Sequence, residues 1–148
     1  MADSETEEAT ELIMREEFPQ ARFFPFMANV GFKTLFNISL KEAKGKYVFL
    51  INSDILIERK TLPVLMQYLE EHPDTKLVGP KQMNFNGTLQ LSCFRYYQPK
   101  TILYRRTWLG KLPFGKTHLN WFLMSEYDHQ SPRAVDWITG SAMLVLRE

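Results

Sequence analysis

The sequence predicts an α/β fold: a mostly parallel sheet flanked by helices, with an antiparallel hairpin and further strands in the C-terminal half. Two observations carry this. Helix and strand signals alternate from Glu5 to Pro80, the pattern that parallel sheets leave in a sequence. Within that run, Lys46 to Ile51 (KYVFLI) is a continuous apolar strand, of the kind buried on both faces of such a sheet.

The elements follow in order. A first helix is expected from about Glu5 to Glu17. Ser4 and Glu7 have capping-box spacing, and acids crowd the next turn, where the helix dipole favours them. Leu12 and Ile13 mark its inner face. Ala21 to Phe24 is a short strand candidate closed by Pro25. Gly31 to Ala43 reads as a second helix, with Leu35, Phe36, Ile38, Leu40 and Ala43 on its apolar side and Gly45 to stop it. A third helix covers about Leu62 to His72, because Leu62, Leu65, Met66 and Leu69 recur at one face. Thr61 can cap it, and Pro63 is tolerated in its first turn. Leu77 to Gly79 is a short buried strand. Asn86-Gly87 between MNF and TLQLS signals a hairpin. Pro99 to Leu109 reads as a short helix, and Val135 to Trp137 and Ser141 to Leu146 as two strands separated by Gly140. No repeat or low-complexity linker divides residues 1–148, so a single domain is expected.

Composition bounds the function. At 148 residues, with 45% apolar and 24% charged, the chain is an ordinary globular one, long enough for a real core. A net charge of +1 names no partner, but its distribution is uneven. Residues 1–17 hold seven acids against Arg15, whereas Thr75 to Ser125 holds eight bases and no acid. Cys93 is the only cysteine, so no disulfide forms within the chain and a reducing compartment is the simpler reading. MADSETEE does not resemble a secretory leader, and no apolar run reaches the length of a membrane span. The expected location is cytoplasmic, with peripheral contact at the inner face of the membrane left open.

The stretch Asn52-Ser53-Asp54 raises the chemical question. Right-handed crossovers place the loop after Ile51 at the carboxyl edge of the sheet, where ligands of open α/β sheets bind. A carboxylate there can hold a hard divalent ion, which keeps waters and takes its other ligands from phosphates. Asn52 can hydrogen-bond a sugar hydroxyl. A plain turn or the start of a short 3₁₀ segment explains the same three residues. Elsewhere the signals are bland. His72, His118 and His129 are scattered without metal-ligand spacing. Cys93 lacks a paired His or Asn and reads as packing. Ser53 and Ser141 lack nucleophile-elbow glycines, and no Gly-rich phosphate loop is present. The segment from Phe94 to Phe122 mixes six bases with many aromatics and no acid. It fits a strand of nucleic acid, an anionic membrane surface, or core aromatics under a solvated basic rim.

The order EAKG (42–45), KYVFLINSD (46–54), LPVLMQYLEEHPD (62–74) and LVGPKQMNFNGTLQLSC (77–93) resembles the family 2 glycosyltransferases of GT-A fold, above all their rhamnosyltransferase-like members. In these a strand ends in Asn-x-Asp or Asp-x-Asp, whose last Asp binds the metal on a nucleotide sugar. The resemblance therefore implies Mg²⁺ or Mn²⁺ at Asp54, with Asn52 as the first motif residue. Asn29-Val30-Gly31-Phe32 with Asn37 looks like the family's Asn-x-Gly-Phe…Asn segment, which lies against the nucleotide. VDWITGSAMLVLRE (135–148) is similar to the segment lining the acceptor side, which brings in Asp136, Trp137 and Gly140. The likeness extends from about Glu11 to Glu148.

The same resemblance implies departures. The chain opens at about the turn after the family's second strand, so the first strand and helix are expected to be missing. It stops at Arg147-Glu148, before the acidic motif that carries the general base, so no catalytic base is assigned. Lys33, Thr34, Leu35, Phe36 and Ser39 stand where relatives usually have smaller residues. A well-placed base is worth roughly 10²–10⁴-fold in rate, so the chain alone is expected to be feeble or inert. Two readings remain: a metal-assisted sugar transferase acting from a nucleotide-diphosphate donor on a glycan or lipid-linked acceptor, as in polysaccharide biosynthesis, and a non-catalytic remnant or interaction protein of the same fold. The expected partners are the nucleotide sugar and the acceptor. A membrane contact through 94–122 and association with a missing part or a second copy are further expectations, and nucleic acid is not expected.

Overall fold

The computed structural model describes residues 1–147, so Glu148, the last residue of the acceptor-side segment, lies outside the described residues. The chain divides into two units, one formed by Met1–Leu50 with the residues from Val145 onward, the other by Ile51–Leu144. Helices and strands mix throughout, so the α/β class stands, with sheets that are small and partly antiparallel.

The first unit begins with β1 (Ala2–Ser4), which pairs in parallel with β2 (Phe24–Phe26) so that Ser4 lies opposite Phe26. A parallel pair needs a crossover, and α1 (Glu8–Glu16) supplies it. The helix starts later than its capping signal suggests. Ser4 is taken up by β1, Glu5 turns with φ +57°, and Glu7 is the N-cap without a side-chain bond, so the Ser4–Glu7 capping box does not form. Pro25 lies inside β2 rather than after it. That is tolerable because a two-stranded sheet has only edge strands. Thr6 fastens the crossover: its backbone N donates to Phe26 O at 3.1 Å, and Phe26 N donates to Thr6 Oγ1 at 3.3 Å.

The inward face of α1 also departs from expectation. Leu12 and Ile13 are 52% and 47% exposed, while Met14 is the half-buried apolar residue, with Thr10 one turn before it. Met14 lines a cleft of about 310 Å³ with Pro19, Ala21, Phe23 and Pro25. In α2 (Gly31–Glu42) the expected apolar residues Leu35, Phe36, Ile38 and Leu40 are half-buried. Arg22 ties the end of this helix down, donating from Nη1 to Glu42 Oε2 at 2.7 Å and from Nη2 to the Glu42 carbonyl.

Strand β3 (Tyr47–Ile51) forms where the apolar run placed it, but it is not buried on both faces. Val48 and Leu50 are buried, whereas Tyr47 and Phe49 are half-buried. Its neighbour is β9 (Ala142–Leu146), central in the order β3-β9-β4, where β4 is Leu77–Val78. Arg147 N donates to Lys46 O at 2.8 Å and Asn52 N to Ser141 O at 2.9 Å, a register in which β3 and β9 run antiparallel. Antiparallel pairing commonly leaves one face less covered, hence the alternation.

In the second unit, α3 (Thr61–Glu71) buries Leu65 and Leu69 but leaves Met66 37% exposed. Lys60 is its N-cap, and Thr61 is the first helical residue rather than the cap. His72 closes it with its ring stacked on Tyr68 at 4.0 Å. The hairpin of β5 (Gln82–Met83) and β6 (Leu89–Gln90) turns at Gly87, whose φ of +79° suits glycine. Strand β7 (Cys93–Phe94) pairs antiparallel with β8 (Trp137–Ile138).

Between β7 and β8 lie α4 (Pro99–Arg106), a 3₁₀ turn (Trp108–Lys111) and α5 (Pro113–Phe122). Sequence reasoning finds α4 but not α5. The obstacle is Gly115, a poor helix former that packing requires: a Cβ there would lie 2.2 Å from Leu109 O, and one at Gly110 would lie 2.2 Å from Tyr104 O. No helix among the described residues is long and apolar enough to cross a membrane.

Thr101, fully buried, joins α4 to α5. Its Oγ1 accepts from Gln98 N at 3.3 Å and lies in hydrogen-bond contact with His118 Nε2, 2.7 Å away. Burial, assisted by Lys100, pushes the His118 pKa down, and burial with Lys81 does the same for His129. A histidine whose folded pKa is depressed contributes stability that is present above its unfolded value of about 6.5 and is lost as pH falls through the lower folded value. The unfolding midpoint in urea is therefore expected to drop as pH is lowered from about 7 to about 5. His118→Gln, which can still hydrogen-bond Thr101, should lessen that dependence and leave the share of His129.

Candidate functional site

The end of β3 builds the site. Beyond Ile51, Asn52, Ser53 and Asp54 form an exposed turn. Asn52 N extends the pairing by one residue through Ser141 O at 2.9 Å, and Ile55 N donates back to Asn52 O at 3.3 Å. The Asp54 carboxylate makes no ion pair and no hydrogen bond among the described residues. It is exposed on a turn whose backbone is hydrogen-bonded in place.

What fixes that turn was not legible in the sequence. The Ser141 hydroxyl lies 2.9 Å from Gln82 Nε2, 3.0 Å from Gln82 Oε1 and 2.8 Å from Thr139 Oγ1. Thr139 N donates to Ser92 O at 2.8 Å. Gln82 and Ser92 are both buried. This cluster holds Thr139-Gly140-Ser141 against the start of the Asn52 turn, so two segments singled out separately in the sequence meet at one end of the strand pair. Removing Gln82 as Gln82→Ala leaves a buried hydroxyl network short of a partner and is expected to cost about 1–3 kcal/mol, read from urea unfolding. Because Thr139 still binds Ser141, the loss should fall in the lower part of that range.

The other acceptor-side residues have structural partners. Asp136 Oδ2 accepts from Tyr96 N at 2.8 Å. The Trp137 indole donates to Arg95 O at 3.0 Å, and its ring stacks on Phe94 at 4.3 Å. In the first unit, Asn29 Oδ1 accepts from Gly31 N at 3.0 Å and Asn29 Nδ2 donates to Glu5 Oε2 at 3.4 Å. Gly31 has φ +74° with nothing crowding the place of a Cβ, so backbone conformation rather than space selects glycine. Asn29 and Gly31 thus share the start of α2, and Asn37 is exposed farther along it.

Cys93 does have a histidine neighbour, contrary to the sequence reading: its Sγ lies 4.0 Å from His129 Nε2. Burial raises the thiol pKa and lowers that of His129. Both groups are held neutral, which suits packing rather than nucleophilic attack.

No group of three His, Cys, Asp or Glu side chains among the described residues is placed to hold a metal ion. That excludes an all-protein cage there but not a cation held by one carboxylate and completed by phosphate oxygens and water, the usual habit of Mg²⁺. The donor chemistry of Asp54 fits the second kind.

The chain belongs to glycosyl transferase family 2, whose family model matches residues 1–129. The match begins at residue 1, ahead of Glu11, and ends before Asp136, Trp137 and Gly140. No curated protein and no solved structure gives a match. Family membership assigns glycosyl transfer as the general chemistry, with a nucleotide sugar and an acceptor as the general substrates; its members commonly use a divalent metal.

Proposed function

We propose that this domain binds a nucleoside-diphosphate sugar together with Mg²⁺ or Mn²⁺, and that the sugar passes to a hydroxyl of a glycan or lipid-linked acceptor. The observation that carries this reading is the exposed Asp54 carboxylate, unpaired among the described residues, on the turn pinned by Asn52 and Ser141. When bound, such a cation neutralises the charge that develops on the departing diphosphate. Asp54 supplies one oxygen to it. The Asn52 amide would hydrogen-bond a sugar or ribose hydroxyl. In the first unit, the family's nucleotide segment corresponds to Asn29, Gly31 and Asn37, which are proposed on that likeness alone. On the acceptor side stand Asp136, Trp137 and Gly140, with Asp136 keeping one carboxylate oxygen beyond the bond to Tyr96.

A thermal-shift panel of nucleoside-diphosphate sugars, run with Mn²⁺ and with EDTA, tests the reading. A ligand present at about 100 times its Kd stabilises the folded state by about 2.7 kcal/mol. One sugar nucleotide is expected to raise Tm by several degrees, and only with metal. If no member of the panel moves Tm in either condition, the domain is instead a non-catalytic member of its family.

A further inference from the structure

We propose that the α4–α5 hairpin is a docking face for an anionic lipid bilayer. Its outer surface is apolar and cationic at once. Trp108 is 68% exposed, Phe114 54%, Ile102 50% and Leu103 47%. Interspersed among them, Lys100, Arg105, Arg106, Lys111 and Lys116 are exposed as well. Ordinary soluble surfaces mix both signs of charge, yet no acid occurs from Thr75 to Ser125. The next one, Glu126, is engaged by Arg95 at 2.6 Å and Arg133 at 3.8 Å.

The face is built on a firm support. Thr101, Gly115 and Phe122 are buried on the inner side, and the close glycine contacts and the Thr101–His118 bond hold the two helices together. Between the helices a cleft of about 390 Å³ has Tyr104, Leu119 and Leu123 in its walls and Arg105 and Lys111 among its lining. An anionic headgroup with the top of an acyl chain has that combination of charge and apolar surface. The exposed aliphatic residues decide between a bilayer and nucleic acid. Ile102 and Leu103 gain nothing from phosphates or from stacking on bases, but both gain on entering the boundary between headgroups and acyl chains, where Trp108 is also favoured.

The test is co-sedimentation of the full chain with phosphatidylcholine vesicles, with or without phosphatidylglycerol. Binding is expected only to the phosphatidylglycerol vesicles, and added salt should release it. The double variant Arg106→Glu, Lys111→Glu should weaken it roughly 25-fold or more, at about five-fold for each cation removed. Trp108→Ser with Phe114→Ser should also weaken it at constant salt. All four side chains are exposed, so an unchanged far-UV circular dichroism spectrum and unfolding midpoint will confirm that the variants fold. Asp54→Ala should bind vesicles like the parent, which separates this proposal from the sugar-transfer reading. Two results would overturn it: no binding to phosphatidylglycerol vesicles at low salt, with or without self-association through this face, or equal binding by parent and both variants. Displacement from vesicles by single-stranded DNA that binds more tightly than the vesicles do would also count against it.

Discussion

Asp54→Ala is expected to weaken Mn²⁺-dependent binding of a nucleoside diphosphate by about 100-fold or more, while leaving the unfolding midpoint unchanged. Even residues that merely orient a metal ligand typically cost 10–100-fold when removed, and Asp54 is proposed as the ligand itself. Stability should not move, because the carboxylate is exposed and joined to nothing else among the described residues, and exposed positions of that kind usually change stability by less than about 0.5 kcal/mol. Asp54→Asn keeps the shape and removes the charge, so it should behave like the alanine variant. A variant that binds as tightly as the parent would remove Asp54 from the donor site.

The largest effect on stability is expected at Phe122. It is fully buried at 0% exposure, with ring centroids 4.7 Å from Tyr97, 5.6 Å from Phe94 and 6.3 Å from Trp137. Its carbonyl also accepts from Arg95 N at 3.0 Å, so the residue closes the aromatic core under α5. Phe122→Ala removes the ring and leaves a cavity, at a cost of about 3–5 kcal/mol. Native domains are stable by only about 5–15 kcal/mol, so the second unit should approach its unfolding threshold. Urea unfolding followed by tryptophan fluorescence reads this, because Trp108, Trp121 and Trp137 all lie in the second unit. Phe122→Leu fills most of the space and should cost clearly less. Equal losses for the two would mean that packing against the ring is not what this position supplies.

Local signals carried much of the fold. Turn chemistry located the Asn86-Gly87 hairpin, apolar periodicity located α2 and α3, and the apolar run located β3. Failures occurred where a distant partner overrules local preference. Ser4 looks like a helix cap, but pairing with Phe26 draws it into a strand. Gly115 argues against a helix, yet only glycine lets α5 approach Leu109. An apolar run does not reveal the direction of its neighbour, so β3 read as buried on both faces when one face is only half-covered. The site follows the same division. Asp54 was visible because a carboxylate closing an apolar strand is conspicuous. Gln82 was not, because its partner Ser141 lies 59 positions away, and His129 escaped notice beside Cys93 for the same reason, at 36 positions.

Calorimetric titration of a nucleoside diphosphate into the full chain, once with Mn²⁺ and once with EDTA, tests the central claim most directly. The account predicts saturable heat with Mn²⁺ and none with EDTA. Identical binding in the two buffers, or no binding at millimolar ligand in either, would contradict it.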